Sequence, residues 1–191
     1  MRVLILGGNR NFGKLVLETL LKKKHEVYLV NRNSKRNNIR HKNLKHICCD
    51  RNNLYKHKSI FKNINFDFIF DNIAYKLKDV KNLHKLLNNK FKHYIFTSSI
   101  ITYLSSNDKF QVKEKDWFNS KITRDWILKK NYKKIDLNYA RNKRSIEQYL
   151  MSKKKINYTI LRVPNVIGKN DFSKKTERLL AYPFFKEKKK Y

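Results

Sequence analysis

The stretch LILGGNRNFGK, residues 4–14, decides how the rest of the chain is interpreted. An apolar run precedes Gly7 and Gly8, a third glycine follows at Gly13, and a segment of helical period comes next. This order of strand, turn and helix is what a dinucleotide-binding turn requires. Gly7 would permit the sharp turn, Gly13 would let the helix pack close to the strand, and the N–H groups at the helix start would face a pyrophosphate. A plain corner between a strand and a helix is the alternative.

The centre of this turn departs from the usual glycine pattern, because Arg10 takes the place of the middle glycine. An arginine at this position would lie along the phosphates and add a charge-assisted contact. We expect its neighbours Asn9, Asn11 and Phe12 to belong to the same cofactor site.

Apolar runs alternate with segments of helical period along the chain. Strands are predicted at residues 2–6, 25–31, 44–50, 66–74, 93–100 and 157–163. Helices are predicted at residues 11–24, 53–63, 76–89 and 138–155, and residues 104–136 form a long excursion without a clean period. The alternation favours an α/β fold, a doubly wound, Rossmann-like parallel sheet of about six strands. Residues 1–170 would form this domain, and residues 171–191 would be the remnant or the start of a C-terminal substrate lobe with a basic tail.

The composition excludes several classes of protein. The 191 residues are 40% hydrophobic, which suits one globular domain. Cys48 and Cys49 are adjacent, so no disulfide framework is implied. No apolar run approaches ~20 residues and no signal peptide is evident, so we expect a cytoplasmic protein without a membrane span. The formal net charge of +31 would attract polyanions, but the lysines are spread along the whole chain, and solvated surfaces are the alternative interpretation.

The second predicted strand ends in residues that indicate the type of cofactor. A carboxylate at this position would bind the ribose hydroxyls of NAD, whereas this chain has Asn31 and Arg32, followed by Lys35 and Arg36. These side chains suit a 2′-phosphate, so NADP is favoured and NAD remains open. Asp50, after the third strand, is placed to accept a hydrogen bond from the adenine amino group, or to cap a local turn.

A catalytic pair is predicted further along the chain. Tyr139 and Lys143 are four residues apart, which places both side chains on one face of a helix. An ammonium near a phenol lowers the pKa of the tyrosine, and such a tyrosine exchanges a proton with a substrate hydroxyl while hydride passes to or from a nicotinamide. Ser99, at the end of the fifth strand, would hydrogen-bond the same substrate oxygen.

These motifs together resemble the short-chain dehydrogenase/reductases, most closely the extended and atypical NAD(P)-dependent epimerase/dehydratase branch. GGNRNFG is similar to the GGTRFIG variant of that branch's glycine motif, and residues 2 to about 171 carry further similar segments in the same order. These segments are VNRN at residue 30, CDRNN at 49, FDFIFDNIAY at 66, YIFTSSIITY at 94, YARNKRSIE at 139 and TILRVPNVIGKND at 159.

The resemblance implies a Rossmann domain that binds NADP or NAD. Tyr139 would be the acid/base, Lys143 would hold the nicotinamide ribose, and Ser99 would orient the substrate. It also implies cofactor contacts from Arg51, from the end of the fourth strand and from the loop after the sixth strand. The residues at those two strand ends are Asn72, Ile73 and Ala74, and Pro164, Asn165 and Val166.

The resemblance further implies a small-molecule substrate, in many relatives a nucleotide sugar. Because relatives usually continue well beyond the length of this chain, the substrate lobe is expected to be missing or truncated. A non-catalytic or degenerate NAD(P)-binding protein is therefore one alternative function. An RNA-binding protein on the same fold is the other, because the branch with the arginine-containing turn includes plastid RNA-binding relatives and the net charge of +31 fits that function. A homodimer, paired through helices such as those at 76–89 and 138–155, is a further expectation.

Overall fold

The computed structural model describes residues 1–32, 39–103, 113–119 and 134–168. Its strands form one parallel sheet: β1 (Arg2–Leu6), β2 (Glu26–Asn31), β3 (Leu44–Cys48), β4 (Phe66–Asp71), β5 (Phe91–Ser99) and β6 (Tyr158–Val163). The helices are α1 (Asn11–Lys22), α2 (Lys58–Phe61), α3 (Leu77–Leu87), α4 (Asp116–Asn119) and α5 (Lys134–Met151), with 3₁₀ turns at Arg51–His57 and Ile100–Tyr103.

The strand order is β3-β2-β1-β4-β5-β6, and every neighbouring pair is parallel. The chain therefore builds the sheet outward from β1 in one direction and then from β4 in the other. The carboxyl ends of β1 and β4 flank the point where the direction reverses, which is where ligands bind in open α/β sheets.

Both faces of the sheet are covered, as the near-continuous apolar strands predict. Alternate residues of β1 point to opposite faces, so Val3 and Ile5 pack with Leu17 and Leu21 of α1. Leu4 and the β1 residue that shares its face of the sheet pack in a second cluster with residues of α3 and α5. The doubly wound α/β fold predicted from the sequence is confirmed.

Several predicted elements differ from the structure. The helix expected at 138–155 spans Lys134–Met151. The helix expected at 53–63 is instead a 3₁₀ turn followed by the short helix α2. The fourth strand ends at Asp71, three residues early, because the Asp71 carboxylate accepts a hydrogen bond from the Ile73 N–H group and turns the chain. The third strand ends at Cys48, since Asp50 caps the 3₁₀ turn.

The predicted excursion at 104–136 and the C-terminal segment 171–191 lie largely or wholly outside the described residues, as do Lys35 and Arg36. Among the described helices, none combines the length and the apolar character needed to cross a bilayer.

Candidate functional site

A cavity of about 1220 Å³ opens at the carboxyl ends of the strands, at the point where the strand order reverses. Most of the residues that the sequence assigned to a cofactor or to catalysis line it. They are Gly7, Asn9, Arg10, Asn11, Phe12, Asn31, Arg32, Asp50, Arg51, Asn72, Ile73, Ser99, Tyr139, Lys143, Pro164, Asn165 and Val166. The fold thus brings together residues that are up to about 160 positions apart in the sequence.

The glycine turn passes from β1 into α1 at the floor of this cavity. Gly7 has φ 87°, a left-handed conformation that favours glycine, and a side chain there would collide with Ile73. A Cβ atom on Gly13 would lie 2.6 Å from the carbonyl oxygen of Gly7. Gly13 does not itself line the cavity, so its function is the close packing of helix and turn.

The start of α1 can accept an anionic group. Arg10 occupies the N-cap position and makes no side-chain capping hydrogen bond, and the first turn of α1 contains no acidic residue. The N–H groups of this turn therefore face the cavity together with the positive end of the helix dipole. Asn72 holds the turn in place, because its side-chain amide donates to the Gly7 carbonyl at 3.1 Å.

The end of β2 is tied to the glycine turn. The side-chain amide of Asn31 donates to the Asn9 side chain at 2.6 Å, and the Asn31 side-chain oxygen lies 3.0 Å from Nε2 of His46. Burial lowers the pKa of His46. Asn31 is thereby placed as a support for the turn as well as a wall of the cavity.

Arg32 and Asp50 form the rim of the cavity beyond β2 and β3. The Arg32 side chain is 81% exposed, and its guanidinium lies 3.9 Å from an Asp50 carboxylate oxygen. The other carboxylate oxygen of Asp50 accepts from the backbone N–H of Asn52 at 2.8 Å and from its side chain at 2.9 Å. Asp50 therefore caps the local turn, which is one of the two functions that the sequence allows for it. The exposed Arg32 side chain has room to reach an anionic group in the cavity.

Arg51 lines the cavity and also belongs to a buried ion pair that the sequence does not predict. Its guanidinium donates two hydrogen bonds to Asp71, at 2.7 and 3.0 Å, and one to the backbone carbonyl of Asp79 at 3.1 Å. Tyr94 donates to the same carboxylate at 2.6 Å. Asp71 is fully buried, and although burial favours its neutral form, Arg51 holds the pKa of this carboxyl below its usual range. Arg51 is thus committed to a buried ion pair that joins the ends of β3 and β4 to α3.

Lys143 lies at the bottom of the catalytic side of the cavity. Its ammonium donates to the backbone carbonyls of Ala74, at 2.9 Å, and of Thr97, at 2.7 Å. An ammonium has three donors, so one remains for a ligand. Ala74 is fully buried and does not line the cavity, and its carbonyl supports Lys143. Its cofactor contact stays a prediction.

Tyr139 and Ser99 line the same cavity as Lys143, and the Ser99 side chain lies near enough to Tyr139 to influence its pKa. Ser99 also accepts from the Ile101 N–H group at 3.3 Å, which orients its hydroxyl at the end of β5. The Lys143 ammonium is 5.6 Å from the centre of the Tyr139 ring. The three side chains that the sequence predicted as a catalytic group therefore lie together in one part of the cavity.

The pKa of Tyr139 is raised, which is the opposite of the direction expected from its spacing to Lys143. Burial is the main cause and Tyr75 adds to it, while the hydrogen bond with Ser99 acts in the other direction. Burial also lowers the pKa of Lys143, to about 8. The ammonium is directed at two carbonyls rather than at the phenol, which explains why it does not set the pKa of Tyr139.

Sequence reasoning missed several side chains at the same end of the cavity. Tyr75 lines it, and its ring centre is 6.1 Å from that of Tyr139. Thr97 also lines it, with a buried hydroxyl oxygen that has no hydrogen-bond partner among the described residues. The unpaired Thr97 hydroxyl and the one remaining donor of the Lys143 ammonium fit a hydroxylated ligand such as a ribose.

A second missed group lies behind the catalytic residues. The Glu147 carboxylate is fully buried, accepts a hydrogen bond from Ser98, and accepts two from Arg162, at 3.1 and 3.0 Å. Arg162 also donates to the Tyr103 hydroxyl at 2.7 Å. Glu147 follows Lys143 by four positions on α5, and this spacing is the sequence signal that points to it. The network fixes α5 against the carboxyl ends of β5 and β6.

Comparison with known proteins agrees with this fold. A family model described as NAD(P)H-binding matches residues 7–181. A search of curated proteins returns no match. The Bordetella bronchiseptica enzyme WbmH, solved in complex with NAD⁺, superposes with a TM-score of 0.71 at 14% identity, and the alignment covers 97% of this chain and 62% of that one.

Two other solved structures are similar. Gre2 from Candida albicans has a TM-score of 0.64 at 16% identity, with 92% of this chain and 60% of that chain covered. UDP-glucose 4-epimerase from Thermus thermophilus, in complex with NAD, has a TM-score of 0.64 at 18% identity, with 85% and 54% covered. These likenesses show a shared fold, and the chain spans less than two thirds of the length of each of the three structures.

Proposed function

Because the chain belongs to the NAD(P)H-binding family, we propose that it binds NADP across the carboxyl edge of its sheet and exchanges hydride with a small-molecule substrate. The reaction would be of the oxidoreductase, epimerase or dehydratase kind, at a hydroxyl or carbonyl carbon. The cavity at the strand-order reversal, with the open start of α1 on its floor, supports the cofactor part of this proposal.

Different parts of the cofactor would be held by different elements. The pyrophosphate would lie on the N–H groups at the start of α1 beside Arg10, where no side chain of the protein caps the helix. The nicotinamide ribose would take the remaining donor of Lys143 and the orphaned hydroxyl of Thr97. Arg32 would bind the 2′-phosphate that distinguishes NADP from NAD. The bound cofactor supplies the hydride donor or acceptor.

Tyr139 would move the proton. Burial raises the pKa of Tyr139 and keeps its hydroxyl protonated at neutral pH, so it can donate to a carbonyl oxygen that becomes a hydroxyl. Ser99 would hold the same substrate oxygen. The observation that carries this assignment is the common position of Ser99, Tyr139 and Lys143 in one part of the cavity.

We propose a nucleotide sugar as the substrate class. The support is the similarity to UDP-glucose 4-epimerase, whose substrate is named in its description. Turnover of UDP-glucose and UDP-N-acetylglucosamine with NADP or NAD would be the first assay. Simple ketones with NADPH would be the comparison, since they need no nucleotide subsite.

The catalytic assignment is tested with Tyr139→Phe and a matched control, Tyr75→Phe. Both changes remove one phenolic hydroxyl from the same cavity, but only Tyr139 is assigned proton transfer. We expect Y139F to lose a factor of about 10²–10⁴ in kcat while its Kd for NADPH stays within a few-fold. Y75F should keep most of its kcat. Equal turnover in Y139F and the unchanged protein would refute the assignment.

Cofactor binding is tested separately by titration with NADPH and NADH, followed by nicotinamide fluorescence. Saturable binding of NADPH without turnover of any substrate would support the alternative of a non-catalytic NAD(P)-binding protein. Absence of saturable binding by either nucleotide would refute the cofactor proposal.

A further inference from the structure

The amino ends of the strands form a continuous surface at the edge opposite the cavity. The connections that enter β2 to β6 meet there, and we call them the amino rim. Backbone hydrogen bonds tie these connections to the starts of neighbouring strands: Val27 of β2 donates to Asn43 at 2.8 Å, Phe66 of β4 to Lys90 at 2.9 Å and Tyr94 of β5 to Asn157 at 2.9 Å. The Lys90 ammonium also donates to the carbonyl of Lys62 at 2.8 Å. The amino rim comprises residues 23–25, 39–43, 62–65, 88–92 and 152–157.

The amino rim carries many cations and no acidic residue. Its basic side chains are Lys23, Lys24, Arg40, Lys42, Lys62, Lys90, Lys92, Lys153, Lys154 and Lys155. The carboxylates nearest to it, Glu26 and Asp67 at the starts of β2 and β4, already have cationic partners. Glu26 pairs with Arg2 and with a lysine of β3, and Asp67 pairs with Lys92 at 2.7 Å.

Helix dipoles do not account for this charge. A cation stabilises a helix C-terminus within its last turn, and α1 ends at Lys22 and α5 at Met151. Lys24, Lys154 and Lys155 lie beyond those ends and are exposed. Within the described part of the chain, none of these three has a carboxylate at ion-pair distance.

The shape of the amino rim suits an extended ligand. Five spacings between neighbouring strands give a width of about 24 Å, which matches roughly seven base pairs of a duplex. A depression of about 580 Å³ lies at its centre, beside β1 and β4. Its polar walls are Arg2, Lys24, Asn65 and Lys92 together with the carboxylates Glu26 and Asp67, which are already paired with Arg2, Lys92 and a lysine of β3. Asparagines accompany the lysines, and their amides donate to phosphate and sugar oxygens.

A membrane surface fits less well. Binding in a bilayer interface requires an amphipathic helix with a buried apolar face, whereas the amino rim consists of short connections. Among the described residues at this edge, the exposed large apolar side chain is that of Met1. Cations and amide donors without apolar anchors are the features of a surface that binds a phosphate backbone.

We propose that the amino rim binds the phosphodiester backbone of nucleic acid without reading its sequence. The site lies at the opposite end of the strands from the cofactor cavity, so both ligands can be bound at once. Strands of five or more residues at about 3.3 Å per residue separate the two edges by roughly 17 Å or more.

The test measures the binding of fluorescein-labelled 20-base-pair RNA and DNA duplexes of one mixed sequence by fluorescence anisotropy, at 50 and 200 mM KCl. If about six phosphates are contacted, affinity should fall on the order of 10³-fold between these salt concentrations. K153Q/K154Q/K155Q should reduce the slope of log affinity against log salt by about three, since each lysine contributes about one.

The matched control is K56Q/K113Q/K115Q, which removes the same charge from exposed lysines outside the amino rim. Because the general field of the protein changes equally in both triple variants, a larger loss in the rim variant assigns the contact to the rim. Equal losses in the two variants would overturn the proposal in favour of diffuse attraction to a basic protein.

Two further outcomes are decisive. Saturating NADPH should leave nucleic-acid affinity unchanged, and competition between the two would place the nucleic acid in the cavity and overturn the proposal. The second experiment measures binding to vesicles of phosphatidylserine and phosphatidylcholine. Binding to vesicles that depends on the rim lysines, without binding to either nucleic acid, would overturn the proposal in favour of a lipid surface. Rim variants that still bind NADPH normally show that any loss is not due to unfolding.

Discussion

Removal of Arg51 from its buried pair with Asp71 is expected to destabilise the protein strongly. The guanidinium side chain is 8% exposed and the carboxylate 0%, so Arg51→Met would leave a buried charge without its partner. Breaking such a pair costs about 3–5 kcal/mol. With a urea m-value of about 2 kcal/mol/M for a domain of this size, the midpoint of unfolding should fall by roughly 2 M. Tryptophan fluorescence and circular dichroism, followed against urea, would measure it.

The pH dependence gives a second measure of the same pair. In the unchanged protein the pKa of Asp71 is below its usual range, so its contribution is present above about pH 4 and is lost as the pH falls through the folded-state pKa. In R51M, burial is the largest remaining influence on Asp71 and raises its pKa, while the hydrogen bonds from Tyr94 and Ile73 act in the other direction. Stability should then fall as the pH rises from about 4 toward that raised pKa, by up to about 1.4 kcal/mol per unit. R51M should therefore lower the free energy of unfolding more at pH 7 than at pH 5.

Asp71→Asn completes the comparison. An asparagine still accepts the hydrogen bond of Tyr94 but carries no charge, so R51M/D71N should be more stable at pH 7 than the sum of the single changes, by about 1–3 kcal/mol. A loss under about 1 kcal/mol in R51M, or additive effects that do not vary with pH, would refute the interpretation of Arg51 and Asp71 as a coupled buried pair.

Three further changes test the cofactor cavity. Gly13→Ala places a Cβ atom 2.6 Å from a backbone oxygen of the turn, so the turn must shift; we expect NADPH affinity to fall about tenfold or more and the Tm by a few degrees, measured by titration and thermal unfolding. Arg32→Ala should weaken NADPH more than NADH, whereas the control Arg10→Ala, beside the shared pyrophosphate, should weaken both alike; equal losses in R32A would contradict the 2′-phosphate assignment. NADPH affinity should decline as the pH rises through about 8, because Lys143 loses its proton there. K143M should abolish this pH dependence, and the control Y139F should retain it. A pH dependence that survives in K143M would exclude Lys143 as its source.

The sequence predicts best those features that depend on short spacings. The glycine turn, the order of strands and helices, and the pairing of Tyr139 with Lys143 each follow from residues less than about a dozen positions apart, and periodicity reports such spacings directly. The recognition of a short-chain dehydrogenase/reductase relative is confirmed by the family match and the fold. The site residues remain predictions, although most of them line one cavity.

The features that the sequence does not predict depend on long-range partners. Arg51 and Asp71 are 20 positions apart, and Ser98 and Glu147 are 49 apart. No local pattern reports which of many cations meets a given carboxylate. A signal is present in retrospect, since Asp71 ends the apolar run FDFIFD and a lone carboxylate at the end of a buried strand requires a buried partner. The sequence alone assigns Arg51 to the cofactor, because its partner can be identified only once the fold is known.

Burial also explains why spacing alone gave the wrong direction for the pKa of Tyr139. Desolvation disfavours the charged form of every group, so it raises the pKa of a phenol and lowers that of an ammonium. Here it acts on both members of the pair, and the pKa of Lys143 falls to about 8 while that of Tyr139 rises above its usual value. Lys143 therefore loses its proton before Tyr139 does as the pH rises. An ammonium stabilises a phenolate only while both are charged, so this order weakens any effect of Lys143 on the pKa of Tyr139. In the proposed reaction Tyr139 would therefore act as the proton donor. Its action as a base would require a further positive charge in the cavity, which an oxidised nicotinamide ring would supply.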